Sequence, residues 1–534
     1  MSKRTRARAR AAAAPPPDTR PFHERSPLLL LAIATAIALL PFVNKAFTMD
    51  DPLFVWGAQW IADHPLDPNG FTLNWYGRTQ PMSVLATEAA ANPPLTSYAL
   101  ALASAIVGWE EVPLHVAFGL FAFAAVAGTW SLARGMTERP LLAALVTLAM
   151  PFFLVSATNV MSDVPMLACF VWALALWRRG LDEKRDALLW LAALIAAAAG
   201  LFKYFGVAAV PLMLVYTLMQ RRWSKLLPLA LPVAVFVAYD LATHAITGAG
   251  KYANVSRTHT FAKTSVMLSF AGGGMIALLF FAPLMRRVAI PLIAAAVAAI
   301  AIVAIAGAPA SPVQFTIFVA VGLGVFVLAA WDVVKFRDAS SIFLFLWIAG
   351  TAVFSAYLNW SVNARSLLPL APAVAILIAR HVEASRNAVI AATAATAAVA
   401  LLAGFADQSY ANAQRDAAHQ LMEHYAGDGH RMWFEGHWGF QYYMQQAGAV
   451  PFGFDATLHG KDLLVTPSTN TLLLNEMQRP PHHIIETLQI ASGVPAATVS
   501  YPMKAAFYSD YMGPLPYVFG VPPAETYTVR RLGR

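Results

Sequence analysis

Apolar positions in this chain come in long unbroken blocks, not in the alternation of a half-buried strand or the one-sided stripe of a surface helix. The blocks run from about Leu28–Phe47 through His115–Ala133, Leu141–Ala157, Ser162–Trp177, Ala187–Phe202, Phe205–Met219 and Leu226–Ile246. They continue with Thr264–Leu284, Val288–Ile305, Gln314–Trp331, Ser341–Tyr357, Ser366–Ala379 and Ala388–Phe405. A helix of about 17 to 22 residues crosses ~30 Å of hydrocarbon. The pattern therefore predicts an all-α polytopic membrane bundle of about thirteen transmembrane helices. The ten-residue alternating strands of an outer-membrane barrel are not there.

The polar stretches divide the rest. Residues 1–27 are basic, Pro-rich and low in complexity, and read as a disordered cytoplasmic tail. The apolar run that follows is long and lacks a clear small-residue cleavage site, so a cleaved signal peptide is not expected. Residues 28–405 form the membrane domain, with a long first outer loop over 48–113. Within that loop NPPLTSYALALASAIVG is too short to span comfortably and predicts an interfacial helix, with Pro94 near its start. A second polar, basic loop runs from Gly248 to Lys263. After Asp407 the composition changes to Gly, Pro, His and aromatics with short runs such as DLLVTP and TLLLNEM. Residues 406–534 thus predict a small soluble extracytoplasmic α/β or α+β domain.

Composition sharpens this picture. The chain has 534 residues, 58% hydrophobic and 12% charged, about half the charge of a soluble domain. The net charge of +8 does not point to nucleic acid, because Lys and Arg gather in the tail and in ARGMTER, WRRGLDEKRD, QRRWSK, MRR, VVKFRD and ARHVEASR. Placing the N-terminus inside puts every one of these strongly basic short loops in the cytoplasm and the C-terminal domain outside a plasma (inner) membrane. The single cysteine, Cys169, rules out an intrachain disulfide.

Candidate chemistry concentrates on the outer face. Asp50 and Asp51 follow the first apolar block, in FTMDDPLFVWGAQW. One acid before Pro52 suffices to cap a helix. An adjacent pair raises one carboxyl's pKa and suits a general base. Asp163, in NVMSDVPM, is a third acid at a helix start. Lys203, in AGLFKYFG, reads either as a snorkelling lysine or as a cation for a lipid phosphate. Arg365, in LNWSVNARSLLPLAP, reads either as an interfacial anchor beside Trp360 or as a guanidinium fork for phosphate. Trp56, Tyr76, Arg78 and Glu88 of the first loop and Tyr252 of the second suit contact with a sugar or acceptor, although Trp and Tyr also populate the aromatic belt. Trp433, Trp438, Tyr442 and Tyr443 read as core aromatics of the C-terminal domain or as stacking residues. The sequence holds no G-x-x-x-x-G-K-[ST], H-E-x-x-H, C-x-x-C or G-x-S-x-G. Energy for chemistry must then come with the substrate. No cofactor is indicated; two or three acids are able to hold a divalent cation, and a metal-free base is equally consistent.

MDDPLF, NPPLTSYALA, MSDVPM, LFKYFG and NARSLLPLAP, in this order and on one side of the membrane, resemble the GT-C membrane glycosyltransferases. The resemblance is nearest to glycosyltransferase family 39, the protein O-mannosyltransferases and aminoarabinose transferases, and covers roughly residues 28–405. It implies a polyprenyl-phosphate sugar donor, an acceptor hydroxyl on a glycan, lipid or protein, and inverting transfer. It assigns the base to Asp50, with Asp51 supporting or substituting for it, a second acid to Asp163, and the donor phosphate to Lys203 and Arg365. The family pair often reads Asp-Glu, so Asp51 departs from it. The other class the pattern admits is a transporter or flippase for a lipid-linked or small polar solute, with the outer acids as proton or substrate sites.

Overall fold

The computed structural model describes residues 25–88, 92–247, 261–425 and 429–533. Among them, seven helices are long and apolar enough to cross a membrane: Glu111–Ala133, Asp163–Asp182, Trp223–Ala245, Arg286–Ile305, Pro312–Phe336, Ala339–Leu358 and Arg386–His424. Two further pairs, Pro140–Ala149 with Pro151–Ala157 and Lys263–Gly274 with Ala277–Leu284, bend by 66° and 64° at short breaks. Five shorter apolar helices complete the set, including Leu95–Val107, the element expected at the interface. The chain is a multi-pass helical membrane protein. The block expected over Leu141–Ala157 is broken because Met150 adopts an extended backbone ahead of Pro151, which cannot continue the hydrogen-bond ladder.

Helix packing relies on small residues where backbones approach. A Cβ on Gly272 would strike the Phe318 carbonyl oxygen, and one on Gly322 would strike that of Leu268. Helices Phe261–Gly274 and Pro312–Phe336 thus cross at backbone contact, a route to dispersion energy that lipid cannot compete with. The basic loops meet one another at one end. Arg380 pairs with Asp332 at 3.0 Å and with Asp338 at 3.2 Å, His381 lies 2.7 Å from Asp332, and Arg287 pairs with Glu383.

The last membrane helix departs from expectation. Instead of ending near Phe405 it runs unbroken over 39 residues, Arg386–His424, about 58 Å at 1.5 Å per residue. Its polar second half is helical because it packs on protein instead of lipid: Ala411, Gln414, Ala417, Ala418 and Leu421 are buried against the C-terminal region. That region holds a five-stranded mixed sheet in the spatial order Val450–Pro451, Met432–Phe434, Leu463–Pro467, Glu525–Leu532, His482–Ile490. The first three strands are parallel and the last two join antiparallel. DLLVTP supplies the central strand; TLLLNEM does not form a strand and leads into a short 3-10 turn, Glu476–Gln478. His482 and His483 open the edge strand.

Between the last two strands of the sheet, residues 496–519 leave it. They form a strap of two small antiparallel ladders, Ala496–Ala497 with Val518–Phe519 and Val499–Ser500 with Ala505–Ala506. The strap's buried side chains, from Ala497 through Phe507, Tyr508 and Tyr517 to Val518, join the core of the membrane bundle and not that of the sheet.

Candidate active site

Four charged side chains from four segments meet at one end of the bundle. Asp50 sits at the N-cap of helix Asp51–Asp63, yet its carboxylate makes no capping bond. It accepts instead from Arg365 Nη1 at 2.6 Å. Arg365 belongs to the short helix Ala364–Leu367, capped by Asn363, whose side chain accepts from Ser366 N at 2.7 Å. A π-helical turn, Phe354–Leu358, precedes this segment. The same guanidinium lies 4.0 Å from Asp163 and 3.1 Å from the Met161 sulfur. Asp163, at the start of helix Asp163–Asp182, also pairs closely with Lys203, which ends helix Asp186–Phe202. The result is a chain of alternating charge, Asp50–Arg365–Asp163–Lys203.

Exposure separates the members. Asp163 is 2% exposed, Arg365 13% and Lys203 15%, whereas Asp50 is 33% exposed. Arg365 Nε and Asp163 Oδ2 have no hydrogen-bond partner among the described residues. Buried charge in this arrangement is tolerable only because each ion faces an opposite one.

Asp51 does a different job. It is fully buried, accepts from Thr48 N at 3.0 Å and from Val160 N at 2.9 Å. One carboxylate thus ties the loop that carries Asp50 to the loop that carries Met161 and Asp163. Burial pushes its pKa up to about 7, against the pull of Lys45 and the two backbone donors. Met49, between these ties, holds a left-handed backbone with φ of 49°, a strained conformation of the kind found at functional sites.

Of the predicted acceptor residues, Tyr76 and Arg78 sit at a tight turn, and Tyr76 lies within electrostatic reach of Asp50. Strands Thr72–Trp75 and Arg78–Pro81 make a hairpin whose two turn residues, Tyr76 and Gly77, both have positive φ, 58° and 74°, as a two-residue turn of this hand requires. Gly77 has a second constraint, since a Cβ would meet Phe454 and Leu473 of the C-terminal region. Tyr76 is 52% exposed and Arg78 is exposed. The Tyr76 N–H donates to His437 Nε2 at 3.2 Å, and Trp75 stacks on the same imidazole at 4.8 Å. Trp56 lies against Tyr442, ring centroids 5.8 Å apart. Glu88 ends the helix Met82–Glu88, and its side chain lies outside what the structure describes. Tyr252 also lies outside the described residues. Trp433, Tyr442 and Tyr443 are buried core aromatics; Trp438 is half-buried with φ of 63°. Among the described residues no group of three or more His, Cys, Asp and Glu is placed to hold a metal ion.

Residues 91–247 match the family model described as dolichyl-phosphate-mannose-protein mannosyltransferase. The resemblance to the GT-C glycosyltransferases is shown on that segment. Asp163 and Lys203 fall within it, while Asp50 and Arg365 lie outside. No curated protein matches the chain. Among solved structures the chain is similar to the crystal structure of ArnT from Cupriavidus metallidurans bound to undecaprenyl phosphate. Identity is 14% and the TM-score 0.44, over 84% of this chain and 94% of that one. It is similar to the apo form of the same protein at 15% identity and a TM-score of 0.43, over 83% of this chain and 93% of that one.

Sequence reasoning missed a second buried cluster beside the first. Lys45, fully buried, donates to Asp407 Oδ2 at 2.5 Å, Asn159 Oδ1 at 2.6 Å and Thr158 Oγ1 at 3.1 Å. Asp407 also accepts from Thr498 Oγ1 and from the Tyr508 hydroxyl, each at 2.8 Å. A lysine at the end of an apolar block and an acid after another are the only traces this pair leaves in the sequence. Their separation by 362 positions hides the partnership.

Proposed function

We propose that this chain moves a sugar from a polyprenyl-phosphate donor to an acceptor hydroxyl at the outer face of the membrane, inverting the anomeric carbon. The observation that carries the reading is the Asp50–Arg365–Asp163–Lys203 chain. Two cations held by a buried acid, beside one carboxylate a third exposed, suit a leaving phosphate and a base. The matched family's description names a dolichyl-phosphate sugar, a donor of this chemical class.

Each side chain then has a role. Lys203 and Arg365 bind the donor phosphate and stabilise the charge that grows on it as the anomeric C–O bond breaks. Asp163 stays buried and aligns both cations. Asp50 takes the proton of the acceptor hydroxyl, whose oxygen attacks the face of the sugar opposite the phosphate. Polyprenyl phosphate leaves with the bonding electrons. Asp51 holds Asp50 and Asp163 in register through Thr48 and Val160.

The resting ion pair adds an order to these events. While Arg365 faces Asp50, the guanidinium occupies the carboxylate oxygen that the acceptor hydroxyl would approach. A donor phosphate competes for the guanidinium and releases Asp50, so donor binds before acceptor. The test is transfer of labelled sugar from a polyprenyl-phosphate donor by purified protein in lipid. Asp50→Asn should elute as the parent does and lose about 10²-fold or more in turnover. Full turnover by that folded variant would remove Asp50 as the base.

A further inference from the structure

The strap formed by residues 496–519 reaches the charged cluster directly. Phe507 O accepts from Ala364 N at 2.9 Å, Asp510 Oδ1 accepts from Val362 N at 3.1 Å, and Asp510 N donates to Val362 O at 2.8 Å. Two of the three residues before Arg365, Val362 and Ala364, are therefore bonded to the strap much as one strand is to another. Tyr508, 3% exposed, lies between these ties. Its ring stands under the Arg365 guanidinium, 5.4 Å from centroid to Cζ. Its hydroxyl donates to Asp407 at 2.8 Å and accepts from Asn159 Nδ2 at 3.2 Å. The far end of the strap is anchored too: Tyr517 OH donates to Gly273 O at 2.9 Å, and Gln314 Nε2 donates to Tyr517 O at 2.9 Å.

We infer that Tyr508 is the positioning residue for Arg365, and that the strap makes the C-terminal region part of the donor-phosphate site. This rests on the donor-binding role given to Arg365 above. The physical argument is that a guanidinium with an unpartnered Nε has no full set of hydrogen bonds to fix its plane. An aromatic face supplies the missing restraint, because the ring quadrupole attracts the cation without consuming a donor. The donors stay available for phosphate oxygens. Burial and the adjoining Asp407 carboxylate push the phenol's pKa well above its usual value, so the hydroxyl stays a donor and the ring stays in place.

The experiment measures binding of a polyprenyl phosphate to the purified full chain in detergent, together with the donor KM and kcat. Tyr508→Phe keeps the ring and should leave donor affinity within about twofold of the parent. Tyr508→Leu removes the ring and should weaken polyprenyl-phosphate binding roughly tenfold, mainly in KM. In an Arg365→Lys background the same change should cost less than about twofold, because a positioning effect needs its target. Equal losses in both backgrounds, or parental affinity in a folded Tyr508→Leu, overturn the inference while the parent's binding upholds the donor reading. Absence of binding by the parent overturns both. If Tyr508→Leu fails to fold, Asp510→Ala loosens the same tie and should raise the donor KM, with unchanged KM counting against the proposal.

Discussion

Two adjacent aspartates of the same chemistry differ in almost everything that decides their use. Asp50 is a third exposed and faces a cation; Asp51 is sealed and faces two backbone N–H groups. Asp51→Asn leaves only one acceptor for two donors, which should lower stability by about 1–3 kcal/mol, read as an earlier unfolding transition in detergent. Asp50→Asn should leave that transition in place. Lys45→Met strands Asp407 in the interior and should cost about 3–5 kcal/mol; adding Asp407→Asn to the same chain should recover part of the loss. A Lys45→Met protein as stable as its parent would show that the pair carries no such weight. The pair of acids was visible in the sequence, but the division of labour was not. Burial depends on Val160, which lies 109 positions away from Asp51.

At the scale of elements, the hairpin Thr72–Pro81 and the C-terminal helix Trp438–Gln446 share one histidine. His437 is buried, accepts from Tyr76 N through Nε2, and donates through Nδ1 to Gln441 Oε1 at 3.3 Å. Burial holds its pKa down to about 4. A histidine lowered from about 6.5 to about 4 binds fewer protons folded than unfolded between those values. Its stabilisation is therefore complete above pH 6.5 and is lost as pH falls toward 4, by about 2 kcal/mol at pH 5. Asp51, raised to about 7, runs the other way: folded protein holds its proton more tightly, so stability falls as pH rises from about 4 to 7. Comparing the unfolding midpoint with pH for the parent and for His437→Gln isolates the histidine. The acid-side loss should shrink in the variant, and identical slopes would rule His437 out. The short helix Leu95–Val107 was readable from length and Pro94. The extension of the last helix to His424 was not, because its polar half reads as loop until the surface that covers it is known.

Across the whole molecule, basic loops gather at one end and the charged cluster forms where the strap and sheet return to the bundle. Charge asymmetry of the loops predicts a C-terminal region outside the cytoplasm. A reporter enzyme active only outside should work when fused after Arg534 and fail when fused within 178–186; the reverse pattern would invert the topology and move the site to the cytoplasmic face.

The sequence by itself determined the class of solvent, the order of apolar blocks and which acids and bases were available. Those follow from hydropathy and chemical type, which are local properties of residues. The span count stayed open, since broken pairs and short helices at 66° and 64° bends are not visible in composition. The tertiary structure alone decided which charges face each other. Lys45 finds Asp407, Asp50 finds Arg365, and Tyr508 reaches that same arginine from the far end of the chain. Ion pairs in a low-dielectric interior are set by distances of a few ångströms, and the separation of residues along the chain carries no record of those distances.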